Sequence, residues 1–403
     1  MNKFFLLIKK KSSKGNSGNQ ISGILLLIFF TMMSSCGGGG SSSGPSFSPN
    51  QIPVTFSGTN INTPVVSVTL CVPGTTTCQT IGNILLDTGS VGLRISQSAL
   101  SIPLPQVVYN GSPIYECIQF SSGDNFGPVV TADVRLGSEP VISSVLVQIS
   151  NSSLNPSVCT PLSPFEPFIN GVLGIGYPFN QYDFGDYYAC QTSTCLSSQE
   201  ICSGNSSPYP CQVSNPVFSL PIDNNGVTVT FPEIGLYGAP TVTGTLTFGL
   251  NTQPDNSLSG LTLYTVNGNS SCNQNYYLDS TFTEGGSSAC AFLDTGSNGL
   301  FFGSTTSPIF SICNTNGSWY CPSMSPSPVS LTVSGANGTQ NSFSLNVINF
   351  QTYIAQSSNL AWNDLAGPYG TSNQYFDVGI DFFFGRTVAI GYQISSQSPF
   401  WAF

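Results

Sequence analysis

Asp87 and Asp294 stand in the same local sequence. Residues 84–95 read ILLDTGSVGLRI and residues 291–302 read AFLDTGSNGLFF, about half the chain apart. A single Asp-Thr-Gly is ordinary turn chemistry, in which Asp and Thr bond nearby backbone and Gly admits a positive φ. Turn chemistry does not require the apolar strand before each copy, nor the Ser-x-Gly-Leu that follows it. The repeated context fits two half-sites meeting across a pseudo-twofold axis. Two carboxyl groups held close together in a shielded site cannot both ionise cheaply, so they share one proton. The ionised member can take a proton from a water held between them. The protonated member can hydrogen-bond a carbonyl and stabilise its developing negative charge. Such a pair activates water directly and needs no nucleophilic side chain.

Other chemistries lack their residues. The 403-residue chain contains no histidine, which excludes a Ser–His or Cys–His nucleophile and a histidine-ligated zinc centre. Cys190, Cys195, Cys202 and Cys211 cluster but lack CxxC spacing, so oxidation in an exported chain is the better reading than zinc. Neither a metal nor a cofactor is expected. Besides Cys36 there are twelve cysteines, enough for up to six disulfides. The local pairs Cys71–Cys78 and Cys313–Cys321 are the ones spacing suggests; the other connectivities stay open.

Strands must position the two aspartates. With 42 glycines, 28 prolines and only 6% charged residues, the chain does not suit long amphipathic helices. VVSVTLCV, VTVTF, GTLTF and SLTVSG read as short β-branched strands between turn residues. Residues 115–137 read as a long hairpin with its tip in Ser121–Phe126. NGVLGIGYPF at 170–179 and FDVGIDFFFGRTVAIGY near the end are apolar and punctuated by glycine, which suits buried strands in close contact with other backbone. The order strand, acidic turn, apolar-Gly segment thus occurs twice, an internal duplication rather than a solenoid. The expected division is an N-terminal lobe at 51–240, carrying a Cys-rich insertion at 180–215, and a C-terminal lobe at 241–403. The closing SPFWAF is expected to pack on the C-terminal lobe.

The N-terminus reads as targeting sequence. Five of the eight basic residues are lysines within the first 14 positions, followed by the apolar run ISGILLLIFFTMM and then Ser34-Ser35-Cys36. The run is shorter than the roughly 20 residues of a membrane span. Residues 1–36 resemble a bacterial lipoprotein signal, with Cys36 as the lipidated residue and residues 37–50 as a flexible Gly/Ser tether. Beyond the lysines only Arg94, Arg135 and Arg386 face all 18 acidic residues. That surface should repel nucleic acid. It also leaves little positive charge to drive expansion once the carboxylates protonate, so tolerance of acid is expected.

The two DTGS segments, NGVLGIGYP and FDVGIDFFFG together resemble the bilobal, pepsin-like aspartic peptidases. More narrowly, DTGSxGL with EC…F…GPV…ADV resembles an uncharacterised bacterial lipoprotein family of that kind. The resemblance runs in order through roughly residues 52–395. It implies an all-β fold of two related β-barrel-like, six-stranded-type lobes, with Asp87 and Asp294 at the floor of the cleft between them. It also implies that Thr88 and Thr295 reach across to the opposite lobe's backbone, and that Ser90 and Ser297 bond the outer carboxylate oxygens. Gly89 and Gly296 would complete the two turns, and Gly174 and Gly379 would lie in the segments crossing behind them. Phe120, Ser121, Ser122 and Gly123 would form the covering flap, with Phe120 where those enzymes carry tyrosine and Tyr115 the alternative under another register. Arg94 replaces the bulky aromatic partner of the flap. Strand alternation leaves it facing either solvent or the dyad, whose pKa it would depress if it pointed inward.

The function implied is a monomeric, exported endopeptidase anchored to the bacterial cell envelope, facing periplasm or exterior, and cutting extended peptide or unfolded protein. The altered flap and the absence of a basic propeptide keep open a non-catalytic peptide- or glycan-binding lipoprotein on the same fold. A purely structural envelope lipoprotein would account for anchor and cysteines but not for the duplicated turn. If Cys36 is the anchor, Cys36→Ala should abolish incorporation of a clickable palmitate analogue and move the protein out of the membrane fraction. Undiminished labelling of the variant would reject the assignment.

Overall fold

The computed structural model describes residues 46–56, 60–109, 111–120, 123–151, 159, 165–176, 185–190, 212–274, 277–282, 288–314, 317–354, 357–371, 374–394 and 397–403. Cys36, Ser121, Ser122, Cys195, Cys202 and Cys211 lie outside them. Strands dominate, and the α-helical elements described are the single turns Ser271–Gln274 and Phe350–Tyr353. The β-branched stretches supply the reason. In Ser327–Ser334, Val329, Leu331 and Val333 alternate into the core, whereas every residue of Gly171–Ile175 is buried.

The strand Cys78–Asp87 ends in Asp87, and its last four residues are buried. The strand Gly171–Ile175 runs parallel to it, with Asp87 opposite Gly174, and antiparallel to Val91–Ser96 on its other side. It therefore threads between the two arms of the acidic turn. The second half repeats this arrangement. Tyr375–Gly379 lies parallel to Ser288–Asp294, with Asp294 opposite Gly379, and antiparallel to Leu300–Phe301. The crossing explains the glycines: a Cβ on Gly174 would lie 2.7 Å from Val91 N and 2.8 Å from Ser90 Oγ. One on Gly379 would lie 2.6 Å from Ser297 O.

Instead of two separate six-stranded sheets, the strands form a 15-stranded network and a seven-stranded sheet. The larger joins the two halves. Gln51–Phe56 pairs with Thr243–Phe248, which leads through Gly226–Thr230 and Thr387–Gly391 to Phe400–Ala402 and Leu263–Thr265. The closing aromatics are thus strand residues of this shared sheet, because backbone pairing as well as ring burial is available there. Within the expected 180–215 insertion, Asp186–Ala189 is a strand that pairs with Ser112–Phe120. Disulfides join Cys71 to Cys78, Cys117 to Cys159, Cys272 to Cys290 and Cys313 to Cys321, and Cys190 is also disulfide-bonded.

A second tie between the halves is polar. Asn62, buried and at φ 55°, donates from its side-chain amide to Trp362 O at 2.8 Å, Asp381 Oδ2 at 3.0 Å and Asn298 O at 3.1 Å. Its Oδ1 accepts from Trp362 N at 2.7 Å. The Asp381 carboxyl, which also accepts from Leu365 N, is held well above its ordinary range by burial.

Several buried carboxyls share that shift. Burial raises Glu139 from an ordinary 4.5 to about 7, with Asp223 adding repulsion, and raises Asp364 from 3.8 to about 6. Each binds its proton more tightly folded than unfolded. Their contribution to stability is therefore complete below the unfolded values and is lost as pH rises through the folded ones. The melting temperature should accordingly be higher at pH 4 than at pH 8, with the fall concentrated between about pH 4 and 7. Glu139→Gln should flatten the upper part of that fall. Thermal scans showing stability rising over this interval would refute the assignment.

Candidate active site

The two acidic turns meet back to back. Thr88 donates through Oγ1 to Leu293 O at 2.8 Å, and Thr295 donates through Oγ1 to Leu86 O at 2.7 Å. Each threonine oxygen in turn accepts from the other's backbone amide, Thr88 N at 3.1 Å and Thr295 N at 2.9 Å. Four hydrogen bonds related by the pseudo-twofold thus fasten one turn to the other in a buried location. These bonds pair the threonine hydroxyls and amides with groups of the opposite turn, which lets the two turns approach so closely.

Each carboxyl has a matching cradle. Asp87 Oδ1 accepts from Gly89 N at 2.8 Å and its Oδ2 from the Ser90 hydroxyl. Asp294 Oδ1 accepts from Gly296 N at 2.7 Å and its Oδ2 from Ser297 Oγ at 2.9 Å. Both aspartates are 1% exposed. A Cβ placed on Gly89 would lie 2.6 Å from both oxygens of Asp294, which shows how nearly the first turn touches the second carboxyl. The Asp294 pKa is pushed well above the ordinary range, first by burial, then by the neighbouring Asp87 and Asp377. Asp87 acts on Asp294 both as a like charge and as a hydrogen-bonding neighbour, and both raise its pKa. The arrangement can therefore hold a proton between two carboxyls and present one ionised and one neutral acid to a bound molecule.

All eight residues singled out in the two DTGS turns come together here. The hairpin beside them narrows the sequence expectation of a tip within residues 121–126. Ser112–Phe120 and Gly123–Arg135 pair with Phe120 opposite Gly123, so residues 123–126 belong to the strand, and Ser121 and Ser122 lie outside the described residues. Gly123, at φ 129°, takes a backbone conformation that favours glycine. Phe120 is 6% exposed and packs with Val65, Leu85, Ile118, Ile169 and Val172. Leu85 is two residues before Asp87, so Phe120 is fastened to the strand that carries the first aspartate.

Arg94 has two directions open to it by strand alternation. It points inward and is 0% exposed, yet its charge is met by Glu116 on the hairpin, with Nη2 2.6 Å from Oε1. Its Nη1 donates to Val91 O at 2.7 Å, and its guanidinium lies 5.8 Å from the Phe120 ring centre, within cation–π reach. The guanidinium ties the base of the hairpin to the strand after the first turn, and it is not among the groups that set the Asp294 pKa. Glu116 was visible in the sequence only as the residue before Cys117. Asp377 was also passed over, inside an apolar segment where a strand pattern gave it no separate role. It lies 1% exposed, with Oδ2 2.6 Å from Ser297 Oγ.

Thr295→Ala would leave Leu86 O and Thr88 N without partners, at about 1–3 kcal/mol for each buried group left unpaired. It should lower the unfolding midpoint measurably, whereas Thr295→Ser should restore most of the loss. Equal midpoints for Ala and wild type would show that the crossing does not hold the halves together.

The fold is similar to that of the aspartic proteinase from Irpex lacteus, with a TM-score of 0.54 and 18% sequence identity over 87% of this chain and 96% of that one. At that identity the likeness establishes the bilobal all-β fold and nothing about turnover. No curated protein matches this chain in sequence. Residues 46–403 match the model of a family described as a protein of unknown function (DUF3443), and the chain belongs to that family.

Proposed function

We propose that the protein is an exported aspartic endopeptidase, and that Asp87 and Asp294 are its catalytic residues. The observation that carries this reading is the convergence of the two carboxyls in one buried, pseudo-symmetric cradle, where burial and the neighbouring Asp87 raise the Asp294 pKa. A water seated between the carboxyls loses a proton to the ionised one as its oxygen attacks the peptide carbonyl. The neutral carboxyl donates to the carbonyl oxygen and stabilises the negative charge that develops there. Collapse of the tetrahedral species breaks the C–N bond, and the leaving amine takes a proton from the pair, which returns to its starting state. Thr88, Gly89, Ser90, Thr295, Gly296 and Ser297 hold the carboxyls in place. The substrate is an extended peptide or unfolded protein, laid as an added strand against the Ser112–Arg135 hairpin. Lipidation at Cys36 would tether the monomer to the bacterial cell envelope.

The test is cleavage of an unfolded protein by the purified chain between pH 3 and 7. Wild type should cut, Asp87→Asn and Asp294→Asn should lose cleavage by at least about a thousandfold while staying folded, and a statine-type transition-state mimic should block wild type. Equal residual activity in wild type and both variants would sink the proposal. Peptide binding without cleavage in wild type would favour a recognition protein on the same fold.

A further inference from the structure

Ser297 stands between two carboxyl groups. Its Oγ lies 2.9 Å from Asp294 Oδ2 and 2.6 Å from Asp377 Oδ2, and all three residues are buried, at 0%, 1% and 1% exposure. A serine hydroxyl has one proton to give. If both carboxyls were ionised, one of these contacts would set lone pair against lone pair in a site closed to solvent. The other oxygen of Asp377, Oδ1, has no hydrogen-bond partner. A bare oxygen on a buried carboxylate is far more costly than a bare carbonyl oxygen on a neutral acid. The first observation requires a proton on one of the two carboxyls, and the bare oxygen assigns it to Asp377.

The internal duplication supplies a control. Asp87 lies opposite Gly174 and Leu85 opposite Val172; Asp294 lies opposite Gly379 and Phe292 opposite Asp377. Val172 therefore occupies in the first half the place that Asp377 occupies in the second. It is 2% exposed and sits in an apolar cluster. The backbone arrangement is the same with valine, so the strand crossing does not call for an acid. In the first turn the Ser90 hydroxyl serves Asp87; in the second, the corresponding hydroxyl has a further carboxyl behind it.

We propose that Asp377 is a positioning residue of the dyad: it carries a proton, donates it to Ser297 Oγ, and so commits the Ser297 hydroxyl to the outer oxygen of Asp294. The inference rests on the dyad being catalytic. The groups facing Asp377 are Asp87 and Asp294 from the two turns, Ser297, and Tyr369 from the segment after the strand Ala366–Gly367, with Tyr277 and Tyr375 beyond it. None of the three described arginines joins them: Arg94 is bonded to Glu116, Arg135 is exposed, and Arg386 lies over Phe382. While Asp377 is neutral, Ser297 supports an ionised Asp294. When Asp377 ionises, the hydroxyl turns toward it, and Asp294 loses a donor and gains a negative neighbour. Asp87 and Asp294 then keep their shared proton to higher pH. Both effects are like-charge and hydrogen-bond effects of ordinary kind. Asp377 thus extends the working range on its alkaline side, where a two-carboxyl site would already have lost its proton.

The experiment uses the full chain as wild type, Asp377→Asn and Asp377→Val, the last copying the first half. In kcat/KM profiles the alkaline limb of both variants should move toward acid by about one pH unit or more. Limbs that superimpose on wild type would overturn the proposal. Aspartate labelled with carbon-13 at its carboxyl gives a reading that needs no turnover. The resonance missing from the Asp377→Asn spectrum should have the shift of a protonated carboxyl at about pH 5.5 in wild type, and that of an ionised carboxylate there would equally overturn it. If wild type cleaves nothing, the peptidase reading fails by itself and the resonance still decides whether Asp377 holds the proton.

Discussion

The reciprocal exchange between Thr88 and Thr295 is the constraint on which the site depends. Each threonine gives its hydroxyl proton to a carbonyl of the other half and takes an amide proton from the other threonine. No single lobe can satisfy these groups, so each turn is incomplete until the other arrives. The next residue back in each turn is the aspartate, and once the threonines are fixed its carboxyl has little freedom. The glycine one residue on holds an inner carboxyl oxygen through its amide, and the serine after it bonds the outer one. Placement of the charge is therefore a consequence of backbone pairing. This is the kind of preorganisation that costs nothing further at the moment of reaction.

Around this symmetric centre the charges are arranged asymmetrically. On the first side the extra charge is Arg94, and Glu116 cancels it inside the protein at 2.6 Å. On the second side it is Asp377, which meets a hydroxyl and two more carboxyls instead of a cation. The two devices act on different parts. A buried ion pair is strongly directional, and breaking it leaves an uncompensated charge, so Arg94 and Glu116 secure the base of the hairpin. A third acid among like groups changes how many protons the cluster holds at a given pH and thereby acts on the dyad itself.

The sequence made the paired turns legible because a duplicated motif needs no alignment with another protein. The strand content followed from β-branched runs and glycine frequency, and the crossing glycines from their position in apolar segments. Three features were hidden for physical reasons. The direction of Arg94 could not be read from alternation, because Val91–Ser96 is buried on both faces over most of its length, so both parities point into protein. The hairpin tip stayed broad because Gly123, Asp124 and Asn125 are all turn-prone residues until the register of Phe120 with Gly123 is known. Asp377 was passed over since a lone acid in an apolar strand reads as an interruption. Setting GVLGI beside FDVGI aligns it with Val172 and would have marked it as a departure from the repeat.

Burial of acids links the site to the rest of the molecule. Asp294, Asp377 and Asp381 all lie in the second half, almost fully buried, and burial is the first cause of the raised pKa in each. Asp381 receives the amide of Asn62 from the first half, so a group that ties the halves together prefers to be neutral, as the dyad's shared proton also requires. A protein whose packing and whose chemistry both favour protonated carboxyls loses little by working in acid. With Arg94 already bonded to Glu116 and no histidine to become charged, few groups in the described body gain an unpaired positive charge as pH falls. The scarcity of basic residues is then part of the same design as the paired aspartates: it lets the interior hold protons at the pH where a shared proton is useful.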